Sequence, residues 1–132
     1  MGVEAGITER SGSASVRFEN DVLSVQTGEV SRSWRWTGFG FVTTEVVDMK
    51  SETVWTKESQ TCKSDWILPG YADCDVEGYL VDVNARISDD EGFTSEHIEV
   101  VASIDYPDAL VTVQFVVWVY SDSPGIRTQL RI

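Results

Sequence analysis

The residues best suited to contact a ligand lie in one long irregular segment, Lys57–Asp75. Trp66 and Tyr71 stand there beside Asp65 and several turn-forming residues. Loops often carry function, and an amphipathic ring next to a carboxylate suits a polar ligand such as a sugar, whose apolar face can stack on the ring. We therefore predict a ligand site at Trp66, Tyr71 and Asp65. The alternative is that these aromatic residues anchor the loop to the core.

The same segment contains both cysteines of the chain, Cys62 and Cys74. A disulfide between them would contribute roughly 3 kcal/mol in the chain-entropy model and would indicate an extracellular or cell-envelope protein. Two buried free thiols are the alternative and would fit a cytoplasmic protein. Because His97 is the only histidine and has no close-spaced partner, no zinc site is expected.

No motif for catalysis or cofactor binding is present in the sequence. The chain lacks a glycine-rich phosphate loop, a Gly-x-Ser-x-Gly elbow and a His-Glu-x-x-His helix. A histidine-dependent triad would need His97, which is expected on the surface between acidic neighbours. The pairs Asp89-Asp90 and Asp73/Asp75 lack the defined separation across a cleft that glycosidase carboxylates need. We predict a chain without a catalytic site, cofactor or metal.

The charge of the chain argues against two classes of partner. Ten basic and twenty-two acidic residues give a net charge of −12, a field that repels nucleic acid and anionic lipid. The acidic residues are spread along the chain, as is typical of a solvated surface. No apolar run approaches the ~20 residues of a membrane helix.

Five tryptophans are a high count for 132 residues and are compatible with a sugar-binding module. Trp34 and Trp36 share one face of a predicted strand, and Trp118 lies in an apolar run. We expect these three rings in the core.

Short β-rich runs alternate with turn clusters, and no stretch holds a helical apolar period. In the first half the runs form hairpins, the clearest having Asn20-Asp21 as its turn. In the second half three long runs alternate apolar and polar residues, and the apolar run Leu110–Tyr120 is expected to be central. The predicted strands are Ala14–Glu19, Val22–Thr27, Val30–Trp36, Phe39–Val47, Thr53–Thr56, Tyr79–Ser88, the Ile98–Asp105 run, Leu110–Tyr120 and a last strand from Ile126.

Strands joined by short turns without intervening helices predict an all-β fold, an antiparallel β-sandwich. Residues 1–13 are expected to be a flexible N-terminal segment, since Thr8–Ser13 is small and polar. Residues 14–132 then form a single domain. Its last strand is still running at Ile132, so we expect a C-terminal truncation.

Three stretches carry a family resemblance: Phe18-Glu19-Asn20-Asp21-Val22-Leu23, Ser33-Trp34-Arg35-Trp36, and Tyr120 followed by Ser123-Pro124-Gly125-Ile126-Arg127. In this order they resemble the N-terminal β-sandwich of α-galactosidase-like glycoside hydrolases, family 36 and its relatives. The resemblance implies a supersandwich placed before a (β/α)₈ barrel that carries the catalytic aspartates. This chain would then be a non-catalytic domain that packs on the barrel or shapes its cleft.

Two other functions fit the same residues. One is a stand-alone carbohydrate-binding module, with carbohydrate rather than a barrel as the partner. The other is a surface or adhesion domain stabilised by Cys62 and Cys74. Nucleic acid and membrane are not expected as partners in any of these functions.

Overall fold

The computed structural model describes residues 7–56, 65–66, 76–88, 96–123 and 125–132. The described residues contain only β-strands as regular structure, arranged in two antiparallel sheets that pack as a sandwich. The predicted fold class is confirmed. The strands are β1 (Ile7–Ser11), β2 (Ala14–Glu19), β3 (Val22–Gln26), β4 (Val30–Trp36), β5 (Phe41–Asp48), β6 (Thr53–Thr56), β7 (Tyr79–Ser88), β8 (His97–Tyr106), β9 (Val111–Tyr120) and β10 (Arg127–Arg131).

The first sheet is a six-stranded meander in which β1 to β6 follow one another in chain order. The predicted hairpin of β2 and β3 is present, and Asn20 and Asp21 have φ values of 53° and 65°. Left-handed backbone at both central residues is the geometry of a tight turn that matches the twist of its strands. The β4–β5 ladder contains a register shift between Ser33 and Trp34, typical of a β-bulge.

The second sheet has four strands in the order β10-β9-β8-β7. The apolar run predicted to be central forms β9, which pairs with β8 on one side and β10 on the other. Its inward residues are apolar because both of its neighbours and the opposite sheet exclude water from that face.

The sequence expectation differs from the structure at the N-terminus. Residues 7–11, within the segment expected to be flexible, form β1, which pairs with residues 14–18 of β2. Polar residues are compatible with this because β1 is an edge strand, and Thr8 and Arg10 are exposed. Strand β5 begins at Phe41 rather than at Phe39.

Aromatic rings join the two sheets at the centre of the core. Phe115 of β9 contacts Trp34 and Phe41 of the first sheet, with ring centroids 5.5 Å apart in both pairs. Trp34 is 1% exposed, and Trp36 is partly buried against the same core. The predicted core positions of Trp34 and Trp36 are confirmed.

A hydrogen-bonded cluster of three turns joins the sheets at one end; we call it the clasp, formed by Ser13, Thr27 and Ser121–Ser123. The Ser13 hydroxyl lies 2.6 Å from the Thr27 carbonyl oxygen, 2.8 Å from Ser121 Oγ and 2.7 Å from Asp122 Oδ1. The Asp122 amide also donates to the Thr27 carbonyl at 2.7 Å. The clasp therefore holds the β9–β10 turn against the first sheet.

Tyr106, the last residue of β8, joins the sheets at a second place. Its hydroxyl donates to the Phe39 carbonyl at 2.5 Å and accepts from Trp66 Nε1 at 3.0 Å. The Gly78 amide donates to the Gly38 carbonyl at 2.9 Å, which brings the backbone before β7 close to the Tyr106 ring. A Cβ atom at Gly78 would lie 2.6 Å from Tyr106 Cε1.

We predict that Gly78→Ala lowers the free energy of unfolding by about 1–3 kcal/mol, because the added methyl group would displace a fully packed ring. Gly125→Ala is the matched control, since no described atom lies within 4 Å of a Cβ atom there, and it is expected to change stability by less than about 1 kcal/mol. Urea unfolding of both variants checks this. Equal stabilities would show that the Tyr106 ring can move aside without cost.

Candidate functional site

One concave site among the described residues is an open groove between the sheets, on the side of β10. It encloses about 340 Å³, within the range of small-molecule sites. Its lining residues come from both sheets and from the short described piece of the long segment: Arg32, Trp34, Asp65, Trp66, Phe115, Thr128, Gln129 and Leu130.

Asp65 is held at the groove by β5. Its amide donates to the Phe41 carbonyl at 2.8 Å. Its carboxylate accepts from both the amide and the hydroxyl of Thr43, with Oδ2 3.0 Å from the amide nitrogen and 2.5 Å from Oγ1. The Asp65 side chain is 22% exposed, so a carboxylate at a fixed position faces the groove with limited access to water.

Arg32 places a cation beside this carboxylate. Its guanidinium lies over the Trp34 ring, 4.7 Å from the centroid, and Nη2 donates to Thr43 Oγ1 at 2.7 Å. Nη2 is 3.7 Å from Asp65 Oδ2. Burial lowers the pKa of the Arg32 guanidinium from its ordinary value, and the charge of Asp65 opposes that shift. Arg32 Nε is buried and has no hydrogen-bond partner among the described residues.

Trp66 lies at the inner end of the groove as part of the core. It is 9% exposed, its ring lies 5.3 Å from that of Phe115, and its Nε1 donates to Tyr106. This position matches the alternative in which the ring anchors the loop, although Trp66 also lines the groove with Asp65. Tyr71 and the cysteines Cys62 and Cys74 lie outside the described residues, so the predicted site at Trp66, Tyr71 and Asp65 stays a prediction.

Sequence reasoning missed Arg32 as a groove residue. The available signal was its spacing from Trp34, since residues two apart in a strand share a face. An arginine on the face of a core tryptophan is unusual enough to mark a candidate site. The contributions of Thr128 to Leu130 could not be inferred, because they depend on where the second sheet ends relative to the first.

Beside the groove, the first sheet extends past the second. Strands β1 and β2 lie against β7, β8 and β9, and Phe41 at the start of β5 still reaches Phe115. The part of the first sheet that lies beyond Phe41 is here called the overhang. It consists of Glu45–Asp48 of β5 and Thr53–Trp55 of β6. Trp55 pairs directly with Val46, which pairs with Arg32, so all three side chains are on the face that lines the groove.

The overhang and the facing edge of the second sheet leave apolar side chains in water. Trp55 is 55% exposed, and every residue of β10 is exposed, including Leu130 at 42%. Leu130 pairs with Phe115 and so faces the groove. The groove, the overhang and β10 therefore form one continuous surface, which no described residue covers on that side of the sandwich.

The outer face of the second sheet contains a different cluster, around His97. The expectation of a surface histidine is wrong: His97 is 0% exposed, with its ring 4.7 Å from that of Trp118 and 4.6 Å from that of Tyr120. The β8–β9 register contributes to this burial, because it sets His97 opposite Tyr120 and Glu99 opposite Trp118.

Trp118 also differs from its expected core position. It lies on this outer face, partly buried, and its Nε1 donates to Glu99 at 3.0 Å. The Glu99 carboxylate also accepts from Arg86, at 3.0 Å from Nε and 2.7 Å from Nη2. Arg127 of β10 lies over the Trp118 ring at 5.1 Å. Arg86, Glu99 and Trp118 satisfy one another by hydrogen bonds, so the cluster stabilises the sheet face.

The outer face of the first sheet forms a broader hollow of about 660 Å³. Several of its polar groups are paired with each other: Gln26 Nε2 donates to Ser15 Oγ at 3.0 Å, and the Ser24 and Ser33 hydroxyls are 3.1 Å apart. Arg17 forms an ion pair with Glu19. This hollow has the character of a solvated sheet face, and we regard the groove as the better candidate site.

The described ranges contain no group of three or more His, Cys, Asp or Glu side chains that could hold a metal ion. In the same ranges, no helix has the length and apolarity needed to cross a membrane. Comparison with known proteins gives no match to a family model, to a curated protein or to a solved structure.

The buried Tyr106 hydroxyl predicts a loss of stability at high pH. Burial raises the pKa of Tyr106 to about 12, partly opposed by the hydrogen bond from Trp66. The folded protein favours the neutral phenol more strongly than the unfolded chain does, so the neutral hydroxyl adds to the free energy of unfolding. This stabilisation is fully present below pH ~10 and is lost as pH rises through about 12. Its full size is about 2–3 kcal/mol.

The check is urea unfolding of the wild type and Tyr106→Phe across this range. At neutral pH the variant should be less stable by about 1–3 kcal/mol, since two hydrogen-bonding groups lose a partner. The difference between the two proteins should then shrink by about 2–3 kcal/mol between pH ~9 and pH ~12. A difference that stays constant with pH would contradict the assignment.

Proposed function

We propose that this chain is a non-catalytic β-sandwich domain that packs onto a partner domain through its open side. The observation that carries the proposal is the overhang beside the groove, where Trp55 is 55% exposed on the same sheet face as the core. Large exposed apolar side chains grouped in one place mark interaction surfaces. The resemblance to α-galactosidase-like glycoside hydrolases suggests a catalytic (β/α)₈ barrel as that partner.

The energetics favour a covered overhang. A tryptophan side chain buries roughly 150–250 Å², so covering the exposed half of Trp55 would contribute about 2–3 kcal/mol. Leu130 and Ile132, at 42% and 74% exposure, would add to this. The polar groups of Arg32 and Asp65 at the bottom of the groove would fix the orientation of the partner domain and would also add to its affinity.

Hydroxyl-radical footprinting of this chain alone and of the polypeptide encoded by the whole native reading frame tests the proposal. We expect oxidation of Trp55 and Leu130 to fall several-fold in the longer polypeptide, because a packed domain excludes solvent from both side chains. Leu110 is the internal control: it is 90% exposed in the β8–β9 turn, outside the open side, and should be oxidised equally in both.

Two results would overturn the proposal. One is equal oxidation of Trp55 in the two polypeptides. The other is a native reading frame that encodes no domain besides this sandwich, which would leave the overhang without a partner in its own chain.

A second function, a carbohydrate-binding module, is favoured by one specific observation in the groove. The Asp65 carboxylate and the Arg32 guanidinium, whose Nε has no partner among the described residues, offer an acceptor and a donor next to aromatic rings, within a space of about 340 Å³. Sugar sites combine such polar groups with aromatic surface. In this function the ligand would enter from the open side.

Titration with soluble galactosides, followed by tryptophan fluorescence, tests this second function. Trp34 and Trp66 line the groove and should report a bound sugar. Asp65→Asn should weaken binding about tenfold or more, because the amide replaces a charged acceptor. Asp108→Asn, in the exposed turn after β8, is the control and should bind as the wild type does. If the fluorescence stays unchanged with every sugar, the function is excluded.

A further inference from the structure

The free edge of β10 provides a more specific kind of contact than apolar packing. Strand β10 is the last strand of its sheet and pairs only with β9 among the described residues. Among the described residues, no strand pairs with the backbone groups on its other edge, which could therefore accept an added strand. The first sheet has β5 and β6 beyond this edge, so a strand placed beside β10 would lie opposite the overhang.

The side chains of β10 define what such a strand would contain. Thr128 and Leu130 face the groove, whereas Arg127 and Arg131 are on the outer face, paired with Trp118 and Gln114. A strand beside β10 would need apolar side chains on its inner face, to cover Leu130 and the overhang. On its outer face it would lie next to two arginines.

The charge of β10 contrasts with that of the whole chain. Its five residues include two arginines and no acidic residue, whereas the chain has a net charge of −12. Both arginines are exposed, and the contact of Arg127 with the Trp118 ring leaves its charge without a carboxylate in the described structure. Opposite charges at directly paired positions stabilise a strand pair, and like charges destabilise it.

The same charges disfavour a second copy of the chain as the occupant. Antiparallel pairing of all five β10 residues with those of another copy would set Arg127 opposite Arg131 at both ends of the ladder. Two such like-charge pairs oppose dimerisation through this edge.

We infer that β10 accepts an extended acidic strand from the partner domain, with apolar and acidic residues in alternation. The acidic side chains lie beside Arg127 and Arg131, and the apolar ones close the sandwich over Leu130 and Trp55. The inference rests on the proposed function, in that the strand belongs to the partner domain.

Amide hydrogen exchange with two synthetic probes tests the inference. One probe is a short peptide of alternating valine and glutamate, and the other alternates valine and lysine. The first should slow exchange of the Arg127–Arg131 amides and should bind about tenfold more tightly than the second. The double variant Arg127→Glu/Arg131→Glu should reverse this preference, provided that its exchange elsewhere matches the wild type.

The outcomes separate the inference from the proposed function. Protection of β10 by the acidic probe supports strand addition even if Trp55 proves unshielded in the whole native polypeptide. Absence of protection by either probe, equal binding of both, or an unchanged preference in the double variant overturns strand addition. In that case the arginines act only to keep the edge from pairing, and shielding of Trp55 would still support the partner domain.

Discussion

The sandwich depends on a short chain of buried hydrogen bonds that runs from Trp66 through the Tyr106 hydroxyl to the Phe39 carbonyl. Tyr106 ends a strand of the second sheet, Phe39 lies in the turn that leads into β5 of the first, and Trp66 belongs to the long segment between the sheets. One hydroxyl group therefore fixes three parts of the chain in relation to each other. An unsatisfied buried polar group costs about 1–3 kcal/mol. The arrangement therefore also disfavours other packings of the two sheets in which either hydrogen bond would be broken. The position of Asp65 in the groove follows from it, since Asp65 precedes Trp66 directly.

Two of the junctions between the sheets lie away from one side of the sandwich. The clasp holds the β9–β10 turn to the first sheet, and the Tyr106 hydrogen bonds hold the start of β5. Neither junction includes the end of β5 or any part of β6, and there the six-stranded sheet has no described strand opposite it. The groove and the exposed overhang result directly from packing a six-stranded sheet on a four-stranded sheet.

Local pattern was enough to predict most strands, because a period of two residues is visible within each run and turns such as Asn20-Asp21 need few residues to specify. Features that depend on partners distant in sequence could not be predicted in this way. Trp66 and Tyr106 are separated by 40 positions, and the burial of His97 depends on its pairing with Tyr120 in another strand. The candidate site was predicted in part: Asp65 and Trp66 do line the groove, but Arg32 was missed.

Arg32 explains why the open side differs from an incomplete hydrophobic core. A guanidinium that loses hydration carries an energetic cost, which Thr43, Asp65 and the Trp34 ring offset only in part. A purely apolar groove would be covered equally well by any apolar surface. With a fixed cation and carboxylate at its base, the groove discriminates, because an occupant that leaves these groups without water and without partners would lose more free energy than its apolar contacts provide. The occupant of the open side is therefore expected to bring polar groups of its own to Arg32 and Asp65, whether it is a strand or a sugar.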